Sequence, residues 1–429
     1  MNQKCIKLPA FGNSMYPFFI SGDILSIQPI SLAEIKVNDF ITFLQKNVFI
    51  THRVIYIPPS KKYILTKGDA NHEPDKKVFP EKIIGKVMKI HRNGKTFLSD
   101  TLYHLQSLLY LKEINKVNTI FQKNNINFVF LKGLPLHLYF EKKIPQRLYA
   151  DCDILIDKKD IPHCITILKK HGYSIRNPNT TVPKFLQTYP PEFDMTKTIN
   201  GIPVSFDIHT EVCFMVKQFF GGMSSLYSEQ LLDNLGKTFL KNKRTITLEK
   251  SHFPLLQKED LILYLALHLF SHNLKGYHHY ESLKTALTKQ NIDFTILAKS
   301  IKEFQLENYV YSIFLLLEKY YHIKFPISFI KTIQPPEKII TYIKRHMLTT
   351  NIFSDEGKLT RGEEKFRHIF SLSPNTMLKK LSIIFSLPIM YSIAWVILKK
   401  VQLQFIFLKV FFHQYGGFAL LKTVKKPLA

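Results

Sequence analysis

A change of hydrophobic rhythm along the chain restricts its fold more than any other feature. Between Met1 and about Asp100, the apolar runs DILSIQPI, DFITFLQ, NVFITHRVIYI, KKYILTKGD and KIIGKVMKI are separated by Pro, Gly and Asn-Asp punctuation. Runs this short, bounded by turn residues, fold as strands, so residues 1–100 are expected to form a small β-rich domain. HRNGKTFLSD (His91 to Asp100), polar and turn-prone, reads as a hinge. From Leu102 to about Lys250 the rhythm alternates. The helical pattern LYHLQSLLYLKEINKVNTIFQKNN leads to the strand NFVFLKG; the strand DCDILID leads to the helix DIPHCITILKKHGY; and IPVSFDIHTEV follows a Pro-rich loop. That is α/β organisation. After Ser251 the spacing is helical, as in DLILYLALHLFSHNL and YVYSIFLLLEKYY. The expected whole is a multidomain α+β chain with a β-rich unit over 1–100, an α/β unit over 101–250 and a helical region over 251–429.

Charge and cysteine usage narrow the setting. A formal net charge of +26 over 429 residues favours anionic partners, although a Lys- and Ile-rich composition from an AT-rich genome produces the same number. No recognition helix or aromatic RNP-like motif accompanies the charge, so nucleic acid is not the expected partner. The four cysteines (Cys5, Cys152, Cys164, Cys213) form no CxxC pair, which fits a reducing cytoplasm and argues against a cysteine-built zinc site. The N-terminus lacks the apolar stretch of a signal peptide or anchor. Leu381 to Leu398 is uncharged and collared by Lys379, Lys380, Lys399 and Lys400, but Pro388 and three serines interrupt it. A buried helical pair or a peripheral contact with the inner face of the membrane is a better reading of 381–398 than a spanning helix.

GNSMYPFFISGD places Ser14 in a loop stiffened by Pro17. A loop serine is ordinarily a turn residue; as a nucleophile it needs a base and a group that orients the base. His52 in NVFITHRVI shares a strand face with Val48, Ile50 and Val54 by alternation. An imidazole accepts a serine proton near neutral pH without special burial. LTKGDANHEPD then offers Asp69 and Asp75, either of which is suited to hold the second ring nitrogen.

In that order, GNSMYP with SGD, THRV, TKGDANHEPD and IIGKV resemble the S26 signal peptidases, in the branch that uses histidine where bacterial housekeeping enzymes use lysine. The resemblance covers about residues 8 to 92 and implies an S24/S26 peptidase-like β-domain that hydrolyses a peptide or protein substrate without a cofactor. Carried over by motif, Ser14 is the nucleophile and its N–H serves the oxyanion. His52 is the general base and Asp75 the orienting acid, with Asp69 close by. The family's N-terminal membrane anchor has no counterpart ahead of Ser14. The alternative is a catalytically inactive peptide-binding scaffold on the same fold.

A second constellation lies in FLKGLPLHLYFEKKIPQRLYADCDILID. Alternation points Asp151 and Asp153 to one face, and Asp207 in VSFDIHTE sits on an expected neighbouring strand. Three converging carboxylates can hold Mg²⁺ against a nucleoside triphosphate, and Lys132 and Arg147 supply cations for the phosphates. LKG, the Arg-to-DCDILID run, KKHGY and FDIHTE resemble the uncharacterised nucleotidyltransferases of the polymerase-β-like superfamily, over about residues 110 to 320. That resemblance implies Asp151, Asp153 and Asp207 as Mg²⁺ ligands, with Lys132, Gly133 and Arg147 lining the triphosphate site. His268 and His272 stand one helical turn apart, with His278 and His279 beyond. No glutamate lies between the first pair, and a structural or substrate-facing role is expected over a zinc site.

Overall fold

Residues 5–16, 18–71, 73–140, 151–175, 192–199, 202–212, 226–248, 250–354 and 361–375 are described by a computed structural model of the chain. The short apolar runs become the strands of one sheet: β1 (Ile6–Pro9), β2 (Ile24–Gln28), β3 (Phe40–Gln45), β4 (Val48–Tyr56), β5 (Leu65–Lys67), β6 (Ile83–Arg92) and β7 (Lys95–Leu98). They are ordered β1-β2-β6-β3-β4-β5, with β7 added to β6, and all pairings are antiparallel. Alternation along β3 sends Phe40 and Ile41 to opposite faces, into two separate buried clusters. Phe40 joins Met15, Phe18 and Phe19, so the segment carrying Ser14 is packed onto the sheet.

The expected hinge at His91–Asp100 is instead the β6–β7 hairpin, followed directly by helix α1 (Ser99–Lys123). Asn93 and Gly94 both take positive φ, +50° and +72°. Asn-Gly is the preferred pair for a two-residue hairpin turn, and the flanking polar residues suit an edge strand.

The second sheet is built from β8 (Phe128–Phe130), β9 (Cys152–Ile156), β10 (Ser174–Ile175), β11 (Glu192–Ile199), β12 (Ile202–His209), β13 (Arg244–Leu248) and β14 (Ser251–Leu255). Its order is β10-β11-β12-β9-β8-β14-β13, with β12–β9 and β14–β8 parallel. The β13–β14 hairpin straddles residue 250, so this sheet runs on into the region expected to be mostly helical. The alternating, β-branched RTITL suits the first strand of that hairpin. Helices α2 (Leu134–Phe140), α3 (Ile161–Lys170) and α4 (Glu229–Lys241) flank the sheet. Phe128, Phe130, Ile154 and Phe206 pack against α1 and α3.

On the other face Val129, Leu131 and Leu155 enter a core shared with helices α5 (Lys258–Ser271), α6 (Tyr277–Lys289), α7 (Phe294–Glu303), α8 (Glu307–Tyr321), α9 (Ile327–Thr332), α10 (Glu337–Tyr342) and α11 (Arg361–Leu372). α5 is buried on every side from Asp260 to Ser271 and is the central helix of that core. Ile55 of β4 belongs to the same cluster, and the Tyr56 ring lies 4.7 Å from that of Phe353. Among the described residues no helix is long and apolar enough to cross a membrane. The segment 381–398 lies outside the described residues.

Candidate active site

Ser14 stands on the loop between β1 and β2. Burial of Met15, Phe18 and Phe19 pins that loop from below, and the Phe18 and Phe19 N–H groups donate to the Met15 carbonyl. A second tie comes from the loop after β5, where the Ala70 N–H donates to the Ser14 carbonyl at 2.8 Å. These restraints bring the Ser14 Oγ to 3.0 Å from Nε2 of His52, a buried residue of β4. The other ring nitrogen, Nδ1, lies 2.6 Å from Asp75 Oδ2, which also accepts the Thr66 hydroxyl at 2.8 Å. A carboxylate at Nδ1 fixes the proton there and leaves the Nε2 lone pair facing the serine hydroxyl.

Asp69 does not share this task. It accepts a two-pronged ion pair from Arg53, at 2.7 Å from Nε and 2.5 Å from Nη2. Adjacent residues of a strand face opposite ways, so His52 and Arg53 find different acids: Asp75 for the imidazole, Asp69 for the guanidinium. Arg53 in turn lies over the Phe18 and Phe40 rings, 5.0 and 4.5 Å from their centroids.

The second constellation assembles around Lys132. β8 delivers Leu131 alongside Asp153, whose carbonyl accepts the Leu131 N–H, and the chain turns through Gly133 into α2. The Lys132 ammonium then sits 3.1 Å from Asp153 Oδ1, 4.0 Å from Asp151 Oδ1 and 2.9 Å from His268 Nε2. His209 Nε2 lies 3.0 Å from the same Asp153 oxygen. Asp207 is level with Asp153 on the parallel strand and level with Asp194 on the antiparallel one. Carboxylates of three neighbouring strands therefore stand in one row. Arg147 lies outside the described residues.

Residues 101–322, more than half of the chain, match the model of a family described as uncharacterised nucleotidyltransferases. The chain belongs to that family. No curated protein matches the chain. Solved structures with some likeness include the lincosamide antibiotic adenylyltransferase LnuA with lincomycin bound, at 15% identity and a TM-score of 0.26, covering 43% of this chain and 96% of that one. The antibiotic-resistance factor ANT(2'')-Ia aligns at 11% identity and a TM-score of 0.29, covering 52% and 98%. An antigenic nucleotidyltransferase-like protein from Paracoccidioides brasiliensis aligns at 15% identity and a TM-score of 0.32, covering 55% and 94%. Similarity this low assigns no residue and no substrate.

The electrostatics around Lys132 and these carboxylates follow from crowding. Burial, and then the charges of Asp151, Asp153 and Asp194, push the Asp207 carboxyl up to about 8. Burial and the Asp153 charge raise Asp151 too. Burial also acts against ionised Asp153, but the Lys132 charge and the His209 hydrogen bond hold its pKa below the ordinary value. For Lys132 burial works against the charge and the two acids outweigh it, so the ammonium is retained. Among the described residues Asp153 Oδ2 is buried and has no hydrogen-bond partner. A row of mutually repelling carboxylates with an orphaned oxygen is a donor set suited to a hard divalent cation such as Mg²⁺.

Sequence reasoning missed Glu192 and Asp194 of β11, whose carboxylates gather with that of Asp207 within 4.8 Å of one another. The alternation in EFDMTK was the available signal, masked by the prolines that precede it. It also missed His209 as the residue that fixes Asp153; its place two residues after Asp207, on the same strand face, was the clue.

Proposed function

We propose that the chain is bifunctional, a Mg²⁺-dependent nucleotidyltransferase fused to a serine peptidase of the S26 type, with the peptidase unit over 1–100 and the nucleotidyltransferase unit from 101 on, its sheet running past residue 250 into the helical region. Family membership supports the first activity. The observation that carries the second is the continuous line Ser14 Oγ, His52, Asp75, at 3.0 and 2.6 Å. In it, Ser14 attacks a peptide carbonyl while its proton passes to His52 Nε2. Asp75 stabilises the resulting imidazolium, and the same proton then goes to the leaving amine. Asp69 serves this centre only through Arg53, as a support for the Phe18 side of the nucleophile loop.

In the nucleotidyltransferase half, Asp151, Asp153 and Asp207 hold the metal, and Lys132, Gly133 and Arg147 line the triphosphate of a nucleoside triphosphate. When bound, the metal neutralises the leaving pyrophosphate and lowers the pKa of the attacking group. Lys132 contributes a permanent cation, and His209 holds Asp153 in the ionised form that a metal requires. The acceptor is a hydroxyl, an amine or a phosphate, and carriage of both centres on one chain favours processing and modification of one peptide.

Labelling of the intact protein with a serine-directed fluorophosphonate tests the peptidase half. Label on the wild type that disappears in Ser14→Ala and in His52→Ala is the expected result. No label on any version, with circular dichroism unchanged, refutes hydrolysis and leaves the β-domain as a peptide-binding scaffold. Transfer of label from an α-labelled nucleoside triphosphate, abolished by Asp151→Asn with Asp153→Asn, is the parallel expectation for the other half.

A further inference from the structure

Next to Lys132, whose Nζ contacts one of them, three imidazoles converge. His268 lies on α5 and His272 caps its C-terminal end, one turn later, so both rings emerge on one side of the helix. The packing of α6 on α5 brings in His279 from the first turn of α6. The ring centroids are 4.6 Å apart for His268–His272, 4.7 Å for His268–His279 and 4.4 Å for His272–His279. One ring nitrogen from each lies within 4.8 Å of the others.

We propose that His268, His272 and His279 form a binding site for one borderline divalent transition-metal ion, of which Zn²⁺ is the representative. Spacing alone favours a structural or substrate-facing role for His268 and His272, because an i, i+4 histidine pair is not a site until a third ligand arrives, and the third comes from another helix.

Four observations carry the assignment. The spacing is close: nitrogens on a tetrahedral zinc, at bonds of about 2.05 Å, stand about 3.3 Å apart. Ring rotations moving each nitrogen by an ångström or so close the present arrangement on an ion. The site has an inner wall and an open side, since His268 is buried while His272 and His279 are half-buried. The backbone leaves room, because Gly276 (φ +88°) precedes α6 and a Cβ there would lie 2.9 Å from the His279 ring. The donor class is distinct as well. The set is all nitrogen, whereas the neighbouring row at Asp151, Asp153 and Asp207 is all oxygen, so ions of different hardness sort between the two.

The site adjoins the triphosphate side of the molecule through one atom pair, Lys132 Nζ to His268 Nε2 at 2.9 Å. An ion that fixes the His268 ring thereby fixes a neighbour of Lys132, in the way a second ligand shell orients a first. Ion binding itself does not depend on either proposed activity.

The test uses the full chain without an affinity tag, stripped with a chelator and titrated with Co²⁺ and then Zn²⁺ by calorimetry and visible absorption. The expected result is one equivalent of Co²⁺ with the visible bands of nitrogen ligation, displaced by Zn²⁺. His272→Ala and His279→Ala each weaken binding by at least about tenfold, while Asp151→Asn with Asp153→Asn leaves it intact. Melting of the metal-free proteins certifies folding. Where an alanine variant does not fold, His272→Asn or His279→Gln is read by the same criterion. The proposal is overturned if the wild type takes up less than half an equivalent, or if folded histidine variants bind as tightly as the wild type. Loss of binding with the aspartate substitutions instead of the histidine ones also overturns it.

Discussion

Replacing Asp75 by Asn tests the peptidase reading at its most demanding point. The carboxylate makes two bonds, to His52 Nδ1 at 2.6 Å and to the Thr66 hydroxyl at 2.8 Å. An amide keeps the shape and both contacts but loses the charge that faces the imidazolium formed as Ser14 gives up its proton. Two unit charges about 4 Å apart, at the effective dielectric of a partly buried site, attract by about 4 kcal/mol. That corresponds to about a thousandfold in rate. If the amide turns its NH₂ toward His52, the wrong tautomer results and the loss approaches about ten thousandfold. The second-order rate of fluorophosphonate labelling is therefore expected to fall by about 10³ to 10⁴. Thr66→Val removes only one hydrogen bond to the same oxygen, worth about 1 kcal/mol, and is expected to cost under about tenfold. A labelling rate for Asp75→Asn within tenfold of wild type, on protein with an unchanged melting curve, would refute the assignment of Asp75 as the orienting acid.

Asp69→Asn is expected to act on stability more than on chemistry: it removes the charged partner of the buried Arg53 guanidinium, and loss of one partner of such a pair costs about 3–5 kcal/mol. A lowered urea midpoint, with labelling per folded molecule nearly unchanged, is the result to look for. Gly68→Ala places a Cβ 2.7 Å from the Ser14 carbonyl oxygen, which must move, so labelling should fall at least tenfold while the melting temperature shifts by only a few degrees. The His368 imidazole of α11 is held down to about 4, by burial first and then by the charges of Arg367, His346 and Lys275. A depressed histidine contributes stability that is present above its unfolded pKa of about 6.5 and lost as pH falls through 4. Between pH 7 and pH 4 the wild type should lose about 3 kcal/mol more than His368→Gln, measured by urea unfolding at each pH.

The two candidate constellations were legible in the sequence to different depths, for physical reasons. Ser14 and His52 were readable because a peptidase-like relay leaves its marks in short motifs, each local to a turn or a strand. Between Asp69 and Asp75 the residues alone left the choice open and only the motif resemblance pointed to Asp75; the contacts across a loop, His52 with Asp75 and Arg53 with Asp69, are not local to any one segment. Asp153 and Asp207 could be placed on neighbouring strands from alternation. Asp194 could not, because the prolines before β11 disguise that strand as a loop. The polar stretch at His91–Asp100 misled for a related reason: Asn-Gly suits a linker and a tight hairpin alike, and the cross-strand partners that separate the two are not local. The meeting of His279 with His268 and His272 is a property of helix packing, to which no spacing within one segment gives access.

β4 has a further consequence through Ile55 and Tyr56. The strand that presents His52 to the serine also inserts Ile55 into the core of the helical region and lays Tyr56 against Phe353. The boundary between the proposed functions is therefore not a seam in the molecule. A gene fragment cut at the end of the first sheet would bare the outer side of this strand and strip the imidazole's own support of its backing. The two halves share packing at this strand, so exchange of one half for that of a relative is expected to succeed only if the recipient supplies a matching surface for these two side chains.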